Sequence, residues 1–264
     1  MTDRANGVAE ARMLPVGTKA AIRVPASSAN LGPGFDTLGL ALGMWDDVSC
    51  EVIDSGLVID VEGEGSGEVP LNEKHLVYRA FRAAMEANGY DVPGLHLVCH
   101  NRVPESRGLG SSAAAAVGGV ALADALCDRP FDLTRMVQIS SEFEGHPDNS
   151  SAAVLGGMVV SWADEPGFAN TSYHAVRLDV HPDIRATALV PYSRSSTEET
   201  RAVLPATVPH RDAVFNVSRA SMMMLAMTKR PDLLFDASED RLHQQQRAAA
   251  LPVTCLLYTS DAAD

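Results

Sequence analysis

Three short segments carry the residue types from which chemistry is built. The first is PESRGLGSSAAAA at residues 104–116, where Gly108 and Gly110 precede two serines and a run of alanines. Glycines let a backbone turn its N–H groups inward, and the helix predicted to open at Ser111-Ser112 adds unpaired donors and a partial positive charge. Such a loop suits phosphate oxygens, and the hydroxyls of Ser111 and Ser112 could bond phosphate or ligate Mg²⁺. A plain serine cap before an Ala-rich helix explains the segment equally well when it is taken alone. The lysine-bearing phosphate loop GxxxxGK[ST] is absent, which removes the commonest nucleotide cradle but not this one.

The second segment, PASSANLGPGFDTLGL at residues 25–40, packs Ser27, Ser28, Asn30 and Asp36 among glycines and prolines and is too polar for a core. Asn30 and Asp36 offer an amide and a carboxylate to a small polar substrate, Asp36 being suited to an ammonium group. By itself, an Asx-turn loop that satisfies its own backbone is the simpler reading. The third, EFEGHPDNSSAAVLGG at residues 142–157, carries Glu142, Glu144, His146, Asp148 and Asn149. One of its carboxylates can ligate Mg²⁺, and another can orient or deprotonate an attacking hydroxyl. His146 serves as readily in a loop hydrogen bond as in a substrate contact, and Pro147 predicts a tight turn at HPDN.

The elements that must position these segments follow from pattern. The 264 residues are 46% hydrophobic and 21% charged, which fits a globular chain and argues against a fibrous or disordered one. A net charge of −13 offers no basic excess for nucleic acid or an anionic membrane, so any phosphate must be gripped locally. Cys50, Cys99, Cys127 and Cys255 form no CxxC pair and read as reduced core residues. No apolar run is long enough to span a bilayer and the N-terminus lacks a signal-peptide core, which predicts a cytoplasmic location.

Residues 1–18 read as a flexible extension. AAIRVPAS then alternates as a strand, and residues 48–61 predict two strands about Asp54-Ser55-Gly56, paired antiparallel. Residues 76–88 recur apolar at three- and four-residue steps and close on Asn88-Gly89 as a helix. LHLVCH predicts a strand; SSAAAAVGGVALADALC and DLTRMVQISSEF predict helices, the latter capped by Asp132. EGHPDN reads as a polar turn; MVVSW and residues 175–180 and 186–191 read as strands; residues 213–227 form a helix whose Met222-Met223-Met224 cluster reads as adaptable core filler. Strands and helices lack a regular βαβ cadence, so the class is α+β.

In this order, PASSANLGPGFD, PESRGLGSSAAAA and EGHPDN resemble the three successive N-terminal signatures of the homoserine kinases, within the GHMP superfamily that also holds galactokinase and mevalonate kinase. The resemblance covers residues 19–252. It implies a two-domain GHMP kinase fold: an ATP-binding domain over 19–170 like domain 2 of ribosomal protein S5, and a partial, ferredoxin-like α/β C-terminal domain over 171–252. It also implies ATP-dependent phosphorylation of the homoserine hydroxyl in threonine biosynthesis, with ATP and Mg²⁺ as cofactors and homodimerisation left open. By position, Pro104, Glu105, Ser106, Arg107, Gly108, Leu109, Gly110, Ser111, Ser112, Ala113 and Ala114 would hold the nucleotide, with Ser112 and Glu142 as metal ligands. Asp148, Asn149, Glu142 and Ser112 would form the catalytic set. Asn30, Asp36, His146, Thr197, Arg201 and Arg247 would bind homoserine, Asp36 at its ammonium and the arginines at its carboxylate. Thr197 and Arg201 come from STEETR, and Arg247 from EDRLHQQQR, where Gln245-Gln246 replace the usual Pro-Tyr. His75 likewise replaces an asparagine common in the adenine-binding segment. After Leu251-Pro252 the chain VTCLLYTSDAAD departs from the family and no SGAGP-type element follows, so residues 253–264 are expected to be an unrelated tail on an incomplete chain. Another GHMP kinase, or a non-catalytic binding fragment, are the alternative readings.

Overall fold

The computed structural model describes residues 11–165, 167–168, 170–190, 192 and 197–248. The expected tail at 253–264, Cys255 and the first ten residues of the expected extension lie outside the described residues. The sheet is built on a long antiparallel ribbon of β2 (Lys19–Ala29) and β3 (Leu38–Ile53). Their register shifts between Pro25 and Ser27, where proline cannot donate to the ladder and a bulge lets the ribbon bend. The bend turns Ser27–Ala29 toward the site described below.

Behind β3 the order runs β4 (Gly56–Gly63), β6 (Gly94–Asn101), β3, β7 (Met158–Ala163), β8 (Tyr173–Leu178). The two strands about Asp54-Ser55-Gly56 exist, but they do not pair with each other. β6 lies between them, antiparallel to β3 and parallel to β4, with Gly94 opposite both Ile53 and Gly56. The link at Ser55 passes so close over the start of β6 that a Cβ on Gly94 would stand 2.4 Å from the Ser55 carbonyl carbon. A turn signal thus fixes a reversal of direction without fixing the neighbour.

One face of this sheet is covered by α1 (Leu76–Ala87), α2 (Ser111–Leu126) and α3 (Leu133–Glu144). Val48, Cys50, Val52, Leu95, Leu97 and Cys99 meet Phe81, Met85, Val120 and Ile139 in the main core. Burial pushes the Cys50 thiol up to about 11 and the Cys99 thiol up to about 12, so both behave as small apolar side chains. Asp132 caps α3 through Arg135 N at 2.7 Å, as its sequence position predicts.

Three further expectations need correction. Residues 12–18 are not loose: β1 (Arg12–Met13) pairs with β5 (Tyr90–Asp91), and Leu14 is buried in the main core. The short strand has no periodicity to read, and its apolar anchor is a single leucine. HPDN is not an isolated turn, because Pro147 precedes α4 (Asp148–Leu155), a helix that places Asp148 in its first turn. Residues 186–190 form no strand; Val190 instead packs on Ala26, Val103 and Leu109, so its apolar surface is spent on a loop rather than a sheet edge.

Beyond β8, α5 (Thr197–Ala202), α6 (His210–Thr228), α7 (Leu234–Ala237) and α8 (Gln244–Arg247) complete the described chain. Met223 and Met227 of α6 are buried against Leu38 and Met158, with Met222 and Met224 packed beside them. Among the described residues no helix is long and apolar enough to cross a membrane.

Candidate active site

The three polar segments meet at Gly110. Ser27 N donates to Leu109 O at 3.0 Å, and Ser27 Oγ donates to Asn149 Oδ1 at 2.9 Å. A Cβ on Gly110 would stand 2.2 Å from Ser27 Oγ and 2.9 Å from Asn149 Oδ1. Gly110 also has φ +67°, a left-handed conformation, and it caps α2 with no side chain. The first bond into the helix runs from Ala114 N to Gly110 O at 2.8 Å, so the amides of Ser111 to Ala113 head the helix as anion donors. Upstream, buried Asp46 accepts from Arg102 N at 2.6 Å and Val103 N at 2.9 Å and so fixes the entry to the loop. Burial raises the Asp46 carboxyl above its ordinary range despite those two donors.

On the other side of Gly110, residues 30–36 form a loop with two non-glycine residues at positive φ, Asn30 at 59° and Asp36 at 53°. Asn and Asp tolerate this region best, and Asn30 Oδ1 supports the turn by accepting from Asp36 N at 2.9 Å. Asp36 forms a two-point ion pair with Arg201, with Nη1 to Oδ2 at 3.0 Å. The group expected to take an ammonium and a group expected to take a carboxylate therefore hold each other.

Asp148 is fully buried. Its Oδ1 accepts from His146 Nδ1 and from Asn149 N, both at 2.8 Å, while Oδ2 is buried with no hydrogen-bond partner among the described residues. Burial works against a charged His146, but its hydrogen bond to Asp148 and that carboxylate's charge outweigh it and raise the imidazole above its ordinary range. Arg247 lies within electrostatic reach of Asp36 and Asp148; burial, then the like charge of Arg201, pulls its guanidinium below its ordinary range. Thr197 opens α5, and its side chain lies outside those described. Buried His75, with its ring pulled below the ordinary histidine range by desolvation, precedes α1.

The two glutamates at the end of α3 take different partners. Ser112 Oγ donates to Glu144 rather than to Glu142. Glu142 is exposed on another face of α3, where its Oε1 accepts from Gln138 Nε2 at 2.8 Å, and Gln138 is tied to Thr171 O and Tyr173 N. Residues two apart on a helix point about 200° from each other, so only one of these glutamates can face Ser112. The sequence shows both acids at the helix end but not the rotational phase of the helix. Phe35 and His243 are also brought to the site without a signal in the sequence: the His243 ring lies 5.1 Å from that of Phe35, and its Nε2 donates to Gly32 O at 2.7 Å.

Residues 75–157 match the model of the GHMP kinases N terminal domain. The chain is 58% identical over 248 residues to homoserine kinase of Rhodococcus erythropolis, covering 91% of this chain and 79% of that protein. It is 58% identical over 243 residues to the homoserine kinase of Corynebacterium glutamicum, with the same coverage. Among solved structures, a putative homoserine kinase from Listeria monocytogenes is 32% identical with a TM-score of 0.66, over 88% of this chain and 76% of the other. Homoserine kinase from Cytophaga hutchinsonii, at 23% identity, shares the fold with a TM-score of 0.76 over 88% of this chain and 75% of that one.

Proposed function

The chain belongs to the homoserine kinase family, and from that premise we infer how its three converging segments divide the work. The reaction transfers the γ-phosphoryl group of ATP to the side-chain hydroxyl of homoserine, giving ADP and O-phosphohomoserine on the route to threonine. Residues 104–114 hold the ATP phosphates at the head of α2, where backbone amides and the helix start supply positive potential. The single observation that carries this reading is the crowding at Gly110. There the phosphate loop approaches Ser27 of one polar segment and Asn149 of another, which supports a nucleotide and an amino acid bound side by side.

Homoserine lies between the 30–36 loop and the start of α4. Arg201 and Arg247 take its carboxylate, and Asp36 its ammonium. A zwitterion supplies both charges at once, so the carboxylate and guanidinium of the existing ion pair can each exchange partners without being left bare. The Oδ2 of Asp148, without a hydrogen-bond partner among the described residues, is the group available to orient or accept the proton of the hydroxyl. Ser112 and Glu144 supply adjacent hard oxygen donors that fit Mg²⁺, which takes one or two protein ligands and completes its shell with water and phosphate. Bound there, the ion would offset charge on the transferring phosphoryl group.

A coupled ADP-release assay tests the reading. ADP release should depend on homoserine and be indifferent to mevalonate or galactose. Homoserine binding without ADP release would instead favour a binding fragment. Asp148→Asn distinguishes the two roles of that carboxylate: general-base loss predicts a kcat fall of about 10²-fold or more, orientation alone a fall of only a few-fold.

A further inference from the structure

Phe35 sits between Gly34 and Asp36, half-buried, in the loop at positive φ. Three side chains from the C-terminal part of the chain gather on it. The Arg201 guanidinium carbon lies 5.2 Å from the ring centroid, that of Arg247 lies 4.8 Å away, and the His243 ring is 5.1 Å away at a 34° tilt. His243 is itself fixed. Its Nε2 donates to Gly32 O at 2.7 Å, and its backbone amide donates at 2.8 Å to Asp240, which also accepts from Asn216 Nδ2 at 2.6 Å.

Two guanidinium groups held together repel one another, which is one reason the Arg247 charge is disfavoured. Asp36 pairs directly with Arg201, whereas Arg247 has its Nε buried with no hydrogen-bond partner among the described residues. Asp148 and Asp240 also act on Arg247 through space, and the face of the Phe35 ring is a further negative surface that touches both cations. We propose that Phe35 is a positioning residue: its ring holds Arg201 and Arg247 side by side before substrate arrives, so that their joint grip on the homoserine carboxylate is preorganised. The proposal rests on the reading of those arginines as carboxylate ligands. Preorganisation of a ground-state contact acts on affinity and leaves the phosphoryl-transfer step alone.

The test is steady-state kinetics on the whole chain with Phe35→Leu, Phe35→Tyr and a trifluorophenylalanine at the same position. The fluorinated ring keeps its shape and loses its negative face. With Phe35→Leu or the fluorinated ring, KM for homoserine should rise roughly 5- to 30-fold while kcat and KM for ATP stay within about 2-fold. Phe35→Tyr should return KM to within about 3-fold of the parent. If Phe35→Leu does not fold, the fluorinated ring decides: a homoserine KM unchanged by fluorination, or ATP and homoserine KM rising in parallel, overturns the proposal. Arg201→Lys and Arg247→Lys separate the two layers. Should they raise KM for homoserine while the fluorinated ring does not, Phe35 has no such role and the carboxylate site stands. Should they also leave KM unchanged, the carboxylate site falls, and this proposal with it.

Discussion

Replacing Gly110 by alanine concentrates the consequences of the fold at one atom. At φ +67° an L-residue costs about 1–2 kcal/mol relative to its ordinary backbone conformations. The new Cβ would lie 2.2 Å from Ser27 Oγ and 2.9 Å from Asn149 Oδ1, so both side chains must move and their mutual hydrogen bond is lost. That bond contributes about 0.5–1.5 kcal/mol, bringing the expected destabilisation to about 1.5–3.5 kcal/mol. Gly108→Ala is the matched control: its φ of +74° carries the same backbone strain, but nothing lies within 4 Å of its Cβ. It should cost only about 1–2 kcal/mol. Urea unfolding of both variants reads the difference directly through the midpoint at constant slope. In the ADP-release assay Gly110→Ala should lower kcat/KM for ATP and for homoserine together, by about 10²-fold, because a shift at this atom moves the phosphate cradle and Asn149 at once. A Gly110→Ala variant no less stable than Gly108→Ala, with kcat/KM within about 2-fold of the parent, would refute the convergence on which the functional reading stands.

Two more outcomes follow from the same geometry. Glu144→Gln and Ser112→Ala should each raise the Mg²⁺ concentration for half-maximal rate by about 10-fold or more, while Glu142→Gln leaves it unchanged; the opposite ranking would return the metal to Glu142. His146 has its folded-state imidazole raised above the ordinary 6.5, so the stability it contributes through Asp148 is fully present below that value and is lost as pH rises through the folded one. The stability gap between the parent and His146→Gln should therefore be widest in mild acid and narrow as pH rises past 6.5; a gap that widens with pH would contradict the assignment.

The sequence by itself determined the local chemistry and much of the secondary structure. Residues 76–88 carry a helical apolar period closed by Asn88-Gly89, and α1 runs Leu76–Ala87. Asp132 caps α3 because a short acceptor before a helix start has one nearby use, and the Gly-Leu-Gly-Ser-Ser run opens α2 because its glycines reach the required left-handed turn. These depend on residues within one helical turn of each other, which is the range over which a single sequence specifies structure. The tertiary structure alone decided which strand lies beside which and which side chain meets which. β6 came between β3 and β4 because pairing is settled by the packed core and not by the turn. Glu144 rather than Glu142 reached Ser112 because a difference of two residues rotates a side chain to the far side of its helix, and the phase is set by what α3 buries. Phe35 and His243 stand 208 positions apart (243 minus 35) and meet only because the C-terminal segment folds back onto the substrate loop, a contact between residues whose types announce nothing until they touch.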